Sequence, residues 1–192
     1  MMNLQKLVEN MRRTKTAPKL TLEQVEGIMS GQYYRIAGGY PRDIFFGIDP
    51  KDIDCWVQWV PPADGIGRGN MDDIEQRLDD MGIPYEEFNM YGTEDDRYRL
   101  AVLRCPGMDI IFMETLDGLI EGFDFNINQF YLEPGLGPVY VGKTDLNEGL
   151  VQLKFDPRVE ERKRRMQAKW DSTLGQRRYE ELTGSFYGNG VI

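Results

Sequence analysis

The chain contains no histidine. Histidine-based catalytic triads, zinc sites with histidine ligands and an imidazole general base are thereby excluded. Only two cysteines occur, Cys55 and Cys105, each inside a run that reads as a strand. They are too few for a disulfide framework or a thiolate metal cluster and are expected to be buried, reduced thiols. No apolar run approaches the roughly 18 residues of a membrane span, and the opening MMNLQKLVENMRR lacks the apolar core of a signal peptide. The expectation is a cytoplasmic protein with no membrane partner. Positive charge is scarce as well: 23 lysines and arginines stand against 32 acids, a formal net charge of -9. Broad non-specific binding of nucleic acid needs a positive field, so any contact with RNA must be local.

What is present is concentrated in residues 36–60, IAGGYPRDIFFGIDPKDIDCWVQWV. A β-like run enters a Gly-Gly turn, a helix of one or two turns follows with Pro41 near its start, and an alternating strand begins at Asp52. The period of two in a strand sends Asp52 and Asp54 to one face and Ile53, Cys55 and Val57 to the other. Two like charges side by side repel by several kcal/mol at an effective dielectric of about 20. A shared proton, a flanking cation or a bound divalent ion would offset this, and an all-oxygen donor set suits Mg2+ or Mn2+. The plainer alternative is an exposed strand edge whose acids sit in water.

Gly38 and Gly39 let the backbone approach a ligand closely, and the helix they open points N–H groups at any anion there. Arg42, in the first turn, carries a planar fork that can hold phosphate oxygens in pairs. Alternatively the glycines only make a tight turn, and Arg42 pairs with Asp43 or Asp49.

Gly38, Gly39, Arg42, Asp43, Gly47, Asp52 and Asp54 stand at fixed spacing: Gly-Gly, two residues, Arg-Asp, three residues, Gly, four residues, Asp-x-Asp. This pattern resembles the signature of the nucleotidyltransferase domain shared by bacterial-type tRNA CCA-adding enzymes and poly(A) polymerases, within the DNA polymerase beta superfamily. The resemblance implies a polymerase-beta-like α/β (α+β) fold, a small mixed sheet flanked by helices. It implies two Mg2+ (or Mn2+) ions and an NTP as substrate, with Asp52 and Asp54 as metal ligands and Gly38, Gly39, Arg42 and Asp43 at the nucleotide. A third carboxylate in that family comes from a neighbouring strand. Asp109, a single acid in the apolar run MDIIFM, is the candidate, with Glu114 as the fallback. Asp109 could equally cap a turn. The segment FDFNIN resembles a further family element through Asp124, Phe125, Ile127 and Asn128, which implies that Asp124 serves the nucleotide and Asn128 braces the turn. The alternative for Asp124 is a simple turn or cap residue. Two arginines of that element are replaced here by Gly122 and Phe123.

The remaining chain reads as follows. Residues 3–12 predict a short helix. Thr21 and Gln24 form a capping-box pattern before a second helix that runs to about Met29. Residues 61–69, rich in proline and glycine, predict a flexible connector, and Asn70 is expected to cap a helix with Met71, Ile74, Leu78 and Met81 on its apolar side. Tyr85 to Tyr91 and Arg97 to Arg104 predict paired strands around an acidic loop. Gly135 to Gly142 predicts a hairpin, and Val151 to Phe155 a last strand.

From Lys154 to Arg178 the balance reverses, with nine lysines and arginines against four acids. We therefore expect a catalytic domain over residues 1–155 and a basic helical tail over 156–192. On the predicted helix, Glu160 with Arg164 and Glu161 with Arg165 are (i, i+4) pairs. That leaves Arg158, Arg162, Lys163 and Lys169 as the cations for an RNA partner. The family's Asp-x-x-Arg pair, which reads the base, has no match at Asp156, where Val159 holds the arginine position. The resemblance spans about residues 33–153 and implies a catalytic domain without the larger helical domains that measure tRNA. The expected function is transfer of a nucleoside monophosphate from an NTP to an acceptor hydroxyl, an RNA 3' end first. Nucleotidylation of a protein or small molecule, or a non-catalytic nucleotide-binding module, are the alternatives.

Overall fold

The computed structural model describes residues 18–89, 99–154 and 159–171. Arg158, the predicted helix at 3–12, the acidic loop within 90–98 and the segment after 171 lie outside the described residues. The protein is mixed α/β, and its chain divides into two compact units. The first comprises residues 1–36 and 51–117, the second 37–50 and 118–192.

In the first unit, α1 (Leu22–Ile28) begins with the expected capping box: Thr21 accepts from the Gln24 N–H, and the Gln24 side chain accepts from the Thr21 N–H. The sheet comprises β1 (Tyr34–Ile36), β2 (Ile53–Gln58), β3 (Glu86–Asn89), β4 (Arg99–Cys105) and β5 (Met108–Met113), in the spatial order β1-β2-β5-β4-β3. Only β2 and β5 run parallel; the other neighbours are antiparallel. Ile53, Cys55 and Val57 of β2 share a face with Met108, Ile110 and Phe112 of β5, and all six are buried. Val25 and Ile28 of α1 and Ile74 and Leu78 of α3 (Asn70–Asp80) are buried in the same unit. Each fully buried side chain of this kind contributes roughly 1.5–3 kcal/mol.

The apolar spacing of α3 stops one position early. Met71, Ile74 and Leu78 are buried, but Met81, at the helix C-cap, is exposed. Asn70 is not the cap either; Gly69 holds that position without a side-chain bond. Asn70 sits in the first turn and ties the connector: its Oδ1 accepts from the Val60 N–H, and its Nδ2 donates to Gln32 Oε1 and to the Gln58 carbonyl. Trp59 Nε1 donates to the Arg68 carbonyl, and Arg68 pairs with Asp72, Glu75 and Glu87. The connector expected to be flexible is therefore anchored at both ends. A side chain at Gly69 would lie 1.8 Å from the Val60 carbonyl oxygen, which explains the glycine there.

The second unit holds α2 (Gly39–Phe45), the antiparallel hairpin of β6 (Phe130–Glu133) and β7 (Gly137–Tyr140), and α4 (Val159–Lys169). Its core is aromatic: Phe46, Phe125, Ile127, Phe130 and Leu146, flanked by Phe45, Tyr140, Met166 and Trp170. The rings of Phe46 and Trp170 meet edge to face at 6.5 Å, so the basic helix docks by an apolar side. In place of the strand predicted at Val151 to Phe155 there is a single bridge, Phe125 with Gln152.

Candidate functional site

Asp54 and Asp109 lie on the sheet face opposite the one that carries Ile53, Cys55 and Val57. Asp54 of β2 and Asp109 of β5 are register partners on adjacent parallel strands. Partners in register have side chains on the same face, so chain segments 55 positions apart in sequence bring two carboxylates side by side. Asp109 therefore stands within a strand and does not cap a turn. Asp52 lies one residue before β2 and is exposed. Glu114, the fallback, lies one residue past the end of β5.

Asp109 has a partner that the sequence reading did not single out. Arg104 of β4 is its register neighbour on the other side; Nε donates to Oδ1 at 3.1 Å and Nη2 to Oδ2 at 3.3 Å. The guanidinium also lies 4.8 Å from the Phe88 ring centroid. Its pKa is raised, chiefly by the hydrogen bond to Asp109, against the lowering effect of burial, and further by the charges of Asp109, Glu86 and Asp52. The signal was legible. Pro106-Gly107 makes a two-residue turn, Gly107 with φ +72°, so Cys105 must pair with Met108 and Arg104 with Asp109.

Among the described residues, no group of three or more acids or cysteines is gathered closely enough to hold a metal ion as placed. The donor chemistry nevertheless fits a hard divalent ion. Two carboxylates stand in register, a third acid lies two residues along, and the cationic fork of Arg104 already occupies part of the charge deficit.

The glycine turn belongs to the second unit. Gly38 adopts φ +96° and ψ -123°, a conformation L side chains avoid, and its N–H donates to the Phe130 carbonyl at 2.9 Å. No side chain caps α2. Arg42 is buried: Nε donates to Asp43 Oδ1 at 2.7 Å and Nη1 to Asn128 Oδ1 at 2.6 Å. Arg42 thus makes the pairing with Asp43 that the alternative reading named, and a second bond to Asn128. Asn128 Nδ2 in turn donates to Asp124 Oδ1 at 3.2 Å. Asn128 thus joins Arg42 to Asp124.

Two cations expected to be available to RNA extend this chain of contacts. Arg162 pairs with Asp124, and Lys169 Nζ lies 2.8 and 2.9 Å from the two carboxylate oxygens of Asp43. One polar network therefore runs Arg162, Asp124, Asn128, Arg42, Asp43, Lys169, and joins α4 to the glycine turn within one unit. Lys163, also on α4, is exposed.

Both thiols are buried, as expected. Burial pushes Cys105 up to about 12 and Cys55 higher still, so neither is a nucleophile near neutrality. No helix among the described residues is long and apolar enough to cross a membrane.

No protein-family model matches the sequence, and no curated protein matches it. Among solved structures, the chain is similar to the Thermotoga maritima CCA-adding enzyme complexed with tRNA, with 19% identity and a TM-score of 0.42 over 80% of this chain and 34% of that one. It is similar to a CCA-adding enzyme in complex with CTP, with 19% identity and a TM-score of 0.41 over 80% of this chain and 33% of that one. The Bacillus stearothermophilus CCA-adding enzyme in complex with CTP gives 14% identity and a TM-score of 0.42 over 74% and 35%. The chain spans no more than 35% of any of the three.

Proposed function

We propose that the protein is a metal-dependent nucleotidyltransferase that moves a nucleoside monophosphate from an NTP to an acceptor hydroxyl and releases pyrophosphate. The observation that carries this reading is the register of Asp54 with Asp109, two carboxylates held side by side at a cost that a divalent cation would offset. Asp52, Asp54 and Asp109 would hold Mg2+ or Mn2+. When bound, such ions lower the pKa of an acceptor hydroxyl and neutralise charge on the departing phosphates. The rigid strand pair fixes the two carboxylates before substrate arrives, and positioning of this kind supplies much of the rate in phosphoryl transfer. Gly38, Gly39, Arg42, Asp43, Asp124 and Asn128 form the part that the resemblance assigns to the nucleotide. Arg42 acts there through the bonds that fix the shape of the turn.

An RNA 3' end is the first acceptor to test, by analogy with the family. A protein or small-molecule acceptor is the second reading: Arg162 and Lys169 are engaged with Asp124 and Asp43, so that a contact with RNA by α4 would fall to Lys163 and the neighbouring Arg164 and Arg165, all three exposed. The decisive experiment measures pyrophosphate release from each of the four NTPs with Mg2+, with and without RNA. Release that requires RNA and fails with Asp54→Asn supports the first acceptor. Release independent of RNA but dependent on Asp54 supports the second, and no Asp54-dependent release overturns the enzyme reading.

A further inference from the structure

We propose that Arg104 is a positioning residue that stands in for a divalent cation, keeping Asp109 turned onto the acid-bearing face of the sheet until a metal ion displaces it. This rests on the two-ion reading above. Four charged residues lie in register across four strands: Asp54 on β2, Asp109 on β5, Arg104 on β4 and Glu86 on β3. Like charges are neighbours only at Asp54 and Asp109, and Arg104 is the cation of that row. The two-residue turn at Pro106-Gly107 locks the pairing, because a slip of one residue would send Arg104 to the core face.

The contact is built to be released. Its two bonds, 3.1 and 3.3 Å, are longer than the roughly 2.7–2.9 Å of strong charge-assisted bonds. The Arg104 side chain is 52% exposed and that of Asp109 31%, so water screens the pair and it adds little to the stability of the fold. A place to move to is at hand, since the Phe88 ring already lies against the guanidinium and Glu86 is its other register neighbour. A divalent ion bound by Asp54 and Asp109 competes with Arg104 for the same oxygens and repels it.

The test titrates the full-length protein with Mn2+ alone, reading free Mn2+ by its paramagnetic resonance signal, so that no activity is needed. Arg104→Gln should bind Mn2+ on the order of tenfold more tightly than the wild type, as expected for removal of one positive charge beside the site. Arg104→Lys should stay within a few-fold of the wild type. In the wild type, the Nε–H resonance of Arg104 should lose its hydrogen-bonded shift as Mg2+ is added, a measurement that needs no variant. Equal or weaker Mn2+ binding by Arg104→Gln, or an Arg104 resonance indifferent to Mg2+, would overturn the role of Arg104 and leave the two-ion reading standing. Mn2+ binding that Asp54→Asn does not weaken would overturn the two-ion reading and this proposal with it.

Discussion

Lys169 and Asp43 are 126 positions apart in sequence, yet the ammonium of one lies within 2.9 Å of both carboxylate oxygens of the other. Asp43 is buried, with 6% of its side chain exposed, and it also receives the fork of Arg42. A buried carboxylate of this kind is costly once its partners are removed. The pair therefore ties α4 to the glycine turn, and the basic helix is part of the second unit's architecture before it is anything else.

Lys169→Met should consequently lower unfolding stability by about 1–2 kcal/mol, because Arg42 still compensates Asp43 in part. Asp43→Asn should cost more, since it leaves two cations facing a neutral group. Urea denaturation of both variants measures the order. A stable Lys169→Met protein that loses only RNA binding would show instead that this lysine serves a partner and not the fold.

The acid pair makes two linked claims. Asp54→Asn should reduce Mg2+-dependent transfer by on the order of a thousandfold or more, the scale seen when a group that stabilises developing charge is removed. In EDTA the same variant should melt at a higher temperature than the wild type, because one of two neighbouring negative charges is gone. A lower melting temperature in EDTA would mean that Asp54 holds the fold together through its other contacts.

Much of this was legible in the sequence, and the misses have physical causes. The strands at β2 and β5, the glycine turn and the capping box of α1 rest on local patterns that tertiary packing did not override. The neighbourhood of Asp54 and Asp109 followed from a family resemblance; the partner Arg104 could have been found by counting back from a two-residue hairpin, an inference that needs no homologue. By contrast, the bonds of Arg162 to Asp124 and Lys169 to Asp43 leave no local trace, because ion pairs between distant segments have no periodicity. Helical spacing overreached at Met81, where the helix has already ended. The connector at 61–69 looked loose by composition, whereas Asn70 and Arg68 hold its ends through side-chain bonds that composition does not encode.

Gly38 offers a test of the turn that does not depend on catalysis. At φ +96° and ψ -123° a side chain brings backbone strain of about 1–3 kcal/mol, so Gly38→Ala should destabilise the protein by that amount. Gly39, which begins α2, is different: a Cβ there would lie 3.5 Å from Arg42 Nη2, an ordinary contact. Gly39→Ala should therefore fold nearly as well as the wild type. If it also keeps NTP binding, measured by calorimetry, then close approach of a ligand to the backbone at Gly39 is ruled out.

The two thiols predict how the protein fails in alkali. Cys105 is pushed from the ordinary value of 9.0 up to about 12, and Cys55 further, in both cases first by burial. The folded state then holds thiol protons that the unfolded chain gives up, so their contribution to stability is complete below about pH 9 and declines as pH rises toward 12. Denaturant unfolding at pH 8, 9 and 10 should show that fall, with a smaller slope in Cys105→Ala because one such proton is gone, and a residual slope because Cys55 and Tyr85, the latter also raised to about 12, remain. At pH 8 neither thiol should react with a disulfide reagent unless the protein is unfolded. Rapid labelling of the native protein at that pH would show that the face of the sheet carrying Cys55 opens far more readily than its complete burial implies.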